Sequence, residues 1–407
     1  MPVLLTTIGS RGDVQPLVAL AVQLRELGHE VRVCAPPDFR DWIDGLGISF
    51  TSVGPELSSS GKASPSAAPL TPEERRQMAE ASVAAQFEAV TAAANGCHVI
   101  VAGGYVVVAA RTVAEQLGIR YVWAGYCPIA LPSPHHAPPV YSVLGDKPAD
   151  GTVDNRALWA RDTHRYNIFG DALNSHRVSA GLAPVDDVRT YMFTERPWLA
   201  ADPTLAPWPE STDPNVVQTG AWILPDERPL SAGLEEFLEA GEPPIYFGFG
   251  SIRAPQDLSK NMIQTARELG RRAIVLRGWA DLSLLDDEPD CLSIGEVNQQ
   301  ALFKRIAAAV HHGGAGTTTT VALAGAPQVV IPQIFDQHYF AQRIHDLGIG
   351  TAHPPTVPTT DSLTEALSRA LQTNVAMRAQ SVADAVRTDG AKAAAQRLIA
   401  PDAQHSF

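Results

Sequence analysis

A chain of 407 residues exceeds what one hydrophobic core usually organises, and two domains facing a cleft are the natural expectation. A content of 45% hydrophobic and 18% charged residues is that of a folded protein rather than a disordered one. The formal net charge of −13, without clustered Lys or Arg, argues against a nucleic-acid partner, so a bound phosphate must be gripped by backbone N–H groups and a few side chains. Cys34, Cys97, Cys127 and Cys291 stand singly, outside metal or disulfide spacing. No apolar run reaches the roughly 18 residues that span a membrane and no basic leader opens the chain, so a cytoplasmic protein without a membrane partner is expected.

In chain order, residues 3–8 read as a strand, Gly9-Ser-Arg-Gly12 as a turn, and the apolar positions Leu17, Leu20, Ala21, Leu24 and Leu27 as a helix closed by Gly28. A second strand follows at 29–35. Thr71, Pro72 and Glu74 form a capping box for a helix running to about Ala94. A strand at 99–102, a helix at 106–117 and a strand at 121–124 continue the alternation of a doubly wound α/β domain. Residues 55–68, rich in Ser, Pro and Ala, read as a surface loop.

The stretch 126–154 breaks the pattern, with Pro128, Pro132, Pro134, Pro138 and Pro139 set among Tyr126, His135, His136 and Tyr141. Irregular segments of that length are usually functional, and Tyr126, Pro134, His135 and Tyr141 are candidates for an acceptor-binding wall. A proline-dense segment from Asp202 to Pro229 marks the domain junction. Alternation then resumes: a strand at 245–249, a helix at 258–269, a strand at 273–276, a short helix from Asn298, a strand at 307–310, a helix from Thr317 and a strand at 328–331. The expected division is a first α/β domain at 1–205, a linker at 206–235, a second Rossmann-like domain at 236–385, and a tail at 386–407 returning to the first domain.

Three segments of the second half can carry chemistry. His312-Gly-Gly-Ala-Gly-Thr317 runs from a strand into a helix, so that several N–H groups and the helix dipole point at one spot. Gly313, Gly314 and Gly316 permit close approach of a phosphate, His312 can donate a hydrogen bond or charge, and Thr317 can cap the helix or bind a phosphate oxygen; a packing turn is the alternative. Gly248-Phe-Gly-Ser251 is a second glycine turn at a strand's carboxyl end. Asp336-Gln337 follows a third strand, where a carboxylate and a carboxamide can bind vicinal hydroxyls, or simply cap a helix. In the first half, spacing alone reads Asp13 equally as a catalytic carboxylate at the cleft or as a cap for a helix beginning near Pro16.

Thr7-Ile-Gly-Ser-Arg-Gly-Asp-Val14, Leu173-Asn-Ser-His-Arg177, Val217-Gln-Thr-Gly-Ala-Trp222, Tyr246-Phe-Gly-Phe-Gly-Ser251, Arg277-Gly-Trp-Ala-Asp281, Gly295-Glu-Val-Asn298 and the segments at His312 and Asp336 together resemble the bacterial natural-product glycosyltransferases of the GT-B fold, family 1, and particularly the glycopeptide-antibiotic group. The resemblance implies two Rossmann-like doubly wound domains facing a cleft. It implies Asp13 as general base, and a donor site drawn from Ser10, Arg11, Gly12, Ser251, Trp279, Val297, His312, Gly314, Ala315, Gly316, Thr317, Asp336 and Gln337. In it the His312 turn holds the diphosphate, Asp336-Gln337 the sugar, and the backbone at Val297 the nucleobase. The implied partners are a UDP- or TDP-sugar, which is a co-substrate, and a natural-product aglycone of glycopeptide type; macrolides, polyenes and aromatic polyketides are alternatives.

No cofactor and no metal are expected, because the chain has no DxD motif and the acidic pairs Asp186-Asp187 and Asp286-Asp287 read as solvated charge. A dehydrogenase would place GxGxxG after the first strand, which Gly9-Ser-Arg-Gly12 does not match. A non-catalytic nucleotide-sugar-binding protein would not need Asp13, His312 and Asp336 together.

Overall fold

A computed structural model describes residues 1–57, 71–140, 153–209, 215–250, 258–278, 282, 284–354 and 356–400. The first domain is a seven-stranded parallel sheet of β1 (Val3–Thr7), β2 (Val31–Ala35), β3 (Ser49–Ser52), β4 (Val99–Gly103), β5 (Arg120–Gly125), β6 (Trp198–Leu199) and β7 (Val217–Gln218). Their order is β3-β2-β1-β4-β5-β6-β7. All five residues of β1 are buried, because helices cover both faces of a doubly wound sheet and a central strand then reads as a continuous apolar run. Alternate side chains serve opposite layers. Leu4 packs with Val90 and Ile100, while Val3 and Leu5 pack with Leu17, Leu20 and Leu24 of the Arg11–Glu26 helix.

The second domain is a six-stranded parallel sheet of β8 (Ile245–Gly248), β9 (Ala273–Leu276), β10 (Cys291–Ile294), β11 (Ala308–His311), β12 (Gln328–Val330) and β13 (Gly350–Ala352), ordered β10-β9-β8-β11-β12-β13. In each sheet the strand order reverses beside its first strand, between β1 and β4 and between β8 and β11. Ligands of open α/β sheets bind at the carboxyl ends of such switch points. Asp13 follows β1 and the His312 turn follows β11, so the topology places each at the switch point of its own sheet.

Helix starts differ from the expected ones for local reasons. The first helix begins at Arg11, with Ser10 as N-cap and Pro16 tolerated within it. The connection after β4 stays irregular until Ala110, later than 106. The helix after the glycine turn begins at Ala315 with Gly314 as N-cap, so Thr317 lies within the first turn and does not cap it. The capping box of Thr71 and Glu74 is formed, with the Glu74 amide 3.2 Å from the Thr71 hydroxyl.

Between the sheets the chain is more than a connector: β7 is the last strand of the first sheet, and Trp222 sits in that domain's core. The Gly390–Ile399 helix lies against the Arg11–Glu26 helix, burying Ala394, Ala395 and Leu398 among Val14, Leu17 and Leu24. Burial of three such side chains contributes several kcal/mol to holding the chain's end on the first domain. Among the described residues, no helix is long and apolar enough to cross a membrane.

Candidate active site

The glycine turn is braced from behind by a histidine that sequence reasoning passed over. His311 is fully buried; its Nδ1 accepts the Gly313 amide at 3.0 Å and its Nε2 lies 2.8 Å from Gln328 Oε1. An Nδ1 that accepts leaves the proton on Nε2 to donate to Gln328, which fixes one neutral tautomer. Burial pushes His311 down to about 4, consistent with a neutral ring.

His312 turns the other way. It is partly buried, its Nδ1 finds no partner among the described residues, and desolvation, followed by the neighbouring His311, pushes it down to about 3. The ring is therefore a neutral hydrogen-bonding group at physiological pH, not the cation that sequence reasoning allowed. A Cβ on Gly314 would lie 2.6 Å from His312 Nε2, so glycine is required for the ring to sit over the helix start. No side chain caps the Ala315–Leu323 helix and no acid stands in its first turn, where Ala315, Gly316 and Thr317 lie. Thr319 and Thr320 return their hydroxyls to the Ala315 and Gly316 carbonyls, and buried Thr318 Oγ1 has no partner among the described residues. Uncapped amides, a helix dipole and a neutral donor make a site for a small anion.

Asp336 is the N-cap position of the Gln337–Asp346 helix, and it is partly buried. Desolvation, and secondarily the nearby Asp13, raises its carboxyl to about 7. Gln337 is buried rather than solvated: its Oε1 accepts the amides of Gln333 at 2.8 Å and Ile334 at 3.2 Å and holds the loop that presents Asp336. Phe335, immediately before Asp336, adopts φ 52°, a left-handed conformation that is costly for an aromatic residue.

Across the cleft, Asp13 occupies the third position of its helix, and its Oδ2 accepts the Ser10 amide at 2.9 Å. Capping and the cleft position belong to the same side chain. Desolvation raises the carboxyl to about 6, with the Ser10 hydrogen bonds working against the shift. Tyr126, expected in the acceptor wall, donates its hydroxyl to the Asp13 carbonyl at 3.1 Å. It braces the turn that carries Asp13.

The remaining expected residues separate. The Arg11 guanidinium lies 3.7 Å from the centre of the Trp42 ring and 3.2 Å from Glu296, an ion pair between the two domains. Gly12 is exposed beside it. Val297 borders a groove of about 460 Å³ shared with Arg228, Leu234, Ile294 and Asn298. Pro134 and His135 are exposed on their loop, which is pinned from beneath by Trp159 donating to the carbonyls of Ser133 and His136. Ser251, Trp279 and Tyr141 lie outside the described residues. Asp286 is ion-paired with Arg267 at 2.7 Å, whereas Asp186-Asp187 caps the following helix through Asp187. Among the described residues, no three His, Cys, Asp or Glu side chains converge as a metal site.

One segment in each domain matches a known domain family: residues 3–128 the glycosyltransferase family 28 N-terminal domain, and residues 262–400 the C-terminal domain of erythromycin biosynthesis protein CIII-like proteins. The chain is 51% identical to glycosyltransferase GtfE of Amycolatopsis orientalis, over 98% of its own length and 97% of the relative's. It is 50% identical to the vancomycin aglycone glucosyltransferase of the same organism, with the same coverage. The structure of the kitacinnamycin glycotransferase superposes with a TM-score of 0.73 over 98% of both chains at 18% identity, a likeness of fold. With twin Rossmann-like domains, facing switch points and relatives of this identity along nearly its whole length, the chain belongs to the GT-B natural-product glycosyltransferases of the vancomycin type and is a nucleotide-sugar-dependent enzyme.

Proposed function

We propose that the protein is an inverting O-glycosyltransferase that moves a hexose or deoxyhexose from a UDP- or TDP-sugar to a hydroxyl of a glycopeptide-like aglycone. The observation that carries this reading is the pairing of an Asp13 carboxyl raised to about 6 with an uncapped helix start on the facing domain. Asp13 takes the proton of the acceptor hydroxyl as that oxygen bonds to the anomeric carbon. The bond to the diphosphate breaks on the opposite face, and one displacement inverts the centre. Charge arriving on the leaving diphosphate is met by the turn amides, the helix dipole and the His312 ring.

Asp336 and Gln337 are assigned to the donor sugar, and Ser10, Arg11, Gly12 and Val297 to the rest of the donor site. A relative half identical over nearly the full chain that bears the name vancomycin aglycone glucosyltransferase supports a glycopeptide-like acceptor and glucose as the sugar. The test is a panel of UDP-glucose, TDP-glucose and TDP-deoxysugars against glycopeptide, macrolide, polyene and aromatic polyketide aglycones, read by mass spectrometry and by the anomeric proton signal of the product. Product only with a polyketide or macrolide acceptor overturns the acceptor class. Retained anomeric configuration overturns the single displacement. Metal-free chemistry is part of the proposal, so EDTA leaves turnover unchanged.

A further inference from the structure

The loop that carries Asp336 is fastened to the other domain at the residue just before it. Phe335 donates its amide to the Val140 carbonyl at 2.7 Å and accepts the Val140 amide at 3.5 Å, an isolated antiparallel bridge to the loop of residues 131–140. Its ring stacks on Tyr105, which follows β4, with centroids 6.1 Å apart and planes 10° from parallel. A phenylalanine at φ 52° persists only where its surroundings over-determine it, and here the surroundings are the first domain. The fold of the second domain supplies the opposite end of the loop, through Gln337.

We infer that Phe335 is a positioning residue: the Tyr105 stack and the Val140 bridge set the backbone angle from which Asp336 projects, so the first domain decides how well the donor sugar is held. The diphosphate turn is braced differently: His311 and Gln328 hold it from within the second domain, and it reaches the first domain through Ala315 and the helix that residue opens. Sugar recognition thus depends on a contact, the Tyr105 stack on Phe335, that is distinct from the His311 and Gln328 bracing of the diphosphate turn. Loss of the Tyr105 ring weakens the grip on the sugar and leaves the grip on the nucleotide intact.

This rests on the assignment of Asp336 to the donor sugar, and the experiment separates the two ideas. The full-length wild type, Tyr105→Ala, Tyr105→Phe, Phe335→Gly and Asp336→Asn are titrated calorimetrically with UDP and TDP and with UDP-glucose and TDP-glucose. Tyr105→Ala and Phe335→Gly are expected to lower the ratio of sugar-nucleotide to bare-nucleotide affinity by about fivefold or more, with bare-nucleotide affinity held. Tyr105→Phe, which keeps the stacking ring, restores the ratio. An unchanged ratio in Tyr105→Ala, whether neither affinity moves or both fall together, overturns the coupling. Should Tyr105→Ala not fold, Phe335→Gly carries the same test, since glycine accepts the left-handed angle. An unchanged ratio in Asp336→Asn instead overturns the sugar assignment.

Discussion

Gly9 lies directly beneath the Asp13 carboxylate: a Cβ on Gly9 would sit 2.2 Å from Asp13 Oδ2 and 2.4 Å from its Cγ. The glycine of this turn is there for the side chain four residues on. Gly12, by contrast, has as its nearest neighbour the Ser10 hydroxyl at 3.7 Å, and is exposed.

Gly9→Ala is therefore expected to displace the carboxylate and to lower kcat by roughly 10-fold or more, since misplacement of a reacting group by about 1 Å is enough for such losses. Gly12→Ala, with only an ordinary contact, should lower kcat less than Gly9→Ala does. Steady-state kinetics on the two variants checks this; equal effects would count against the steric explanation.

Removing the base itself has a larger effect. Asp13→Asn should reduce kcat by roughly 10²–10⁴-fold and leave nucleotide affinity nearly intact. Because the base must be ionised, kcat/KM of the wild type should rise with pH on a limb near pH 6, the value to which burial lifts Asp13. A fully active Asp13→Asn enzyme would falsify the assignment.

His312→Ala is expected to weaken UDP and TDP binding roughly 10- to 100-fold, the range for a hydrogen bond to a charged group. As the ring is neutral, His312→Gln should recover part of the loss by donating in its place. Calorimetry with the bare nucleotides decides it, and unchanged affinity in the alanine variant rules out diphosphate contact.

The raised carboxyl of Asp336 makes a statement about stability as well. Its usual value is 3.8 and its folded value about 7, so the native state holds the proton more tightly than the unfolded chain. Stability is then lost as pH rises from about 4 through about 7. Asp336→Asn, which mimics the protonated form, should gain on the wild type across that window by on the order of 2 kcal/mol, a discounted figure because the group is partly solvent-screened. Thermal melts of both proteins at pH 4.5 and pH 8 measure the difference; a gap that is the same at both ends excludes a strongly raised carboxyl.

Much was legible without coordinates where physics is local. The apolar run of β1, the helix stripe of Leu17, Leu20 and Leu24, and the capping box at Thr71 and Glu74 each involve neighbours within a few residues, and each formed. The same locality located the His312 turn between a strand and a helix. Spacing alone could not choose between capping and cleft for Asp13, because the one carboxylate occupies both places.

What only the tertiary structure decided are relations between residues far apart in the chain. Arg11 meets Glu296, 285 positions away, and Tyr126 braces Asp13 from 113 positions away. No periodicity records such a pairing. Nor could the protonation states be read from residue types, since the same histidine or carboxylate titrates differently once burial removes water from around it. The sequence by itself determined the inner strands of the two sheets, the turns at their switch points and the residue types available there, but not the outer strands β3, β6, β7, β10 and β13. The folded chain decided which of them face one another, because that depends on how two separately formed domains are packed.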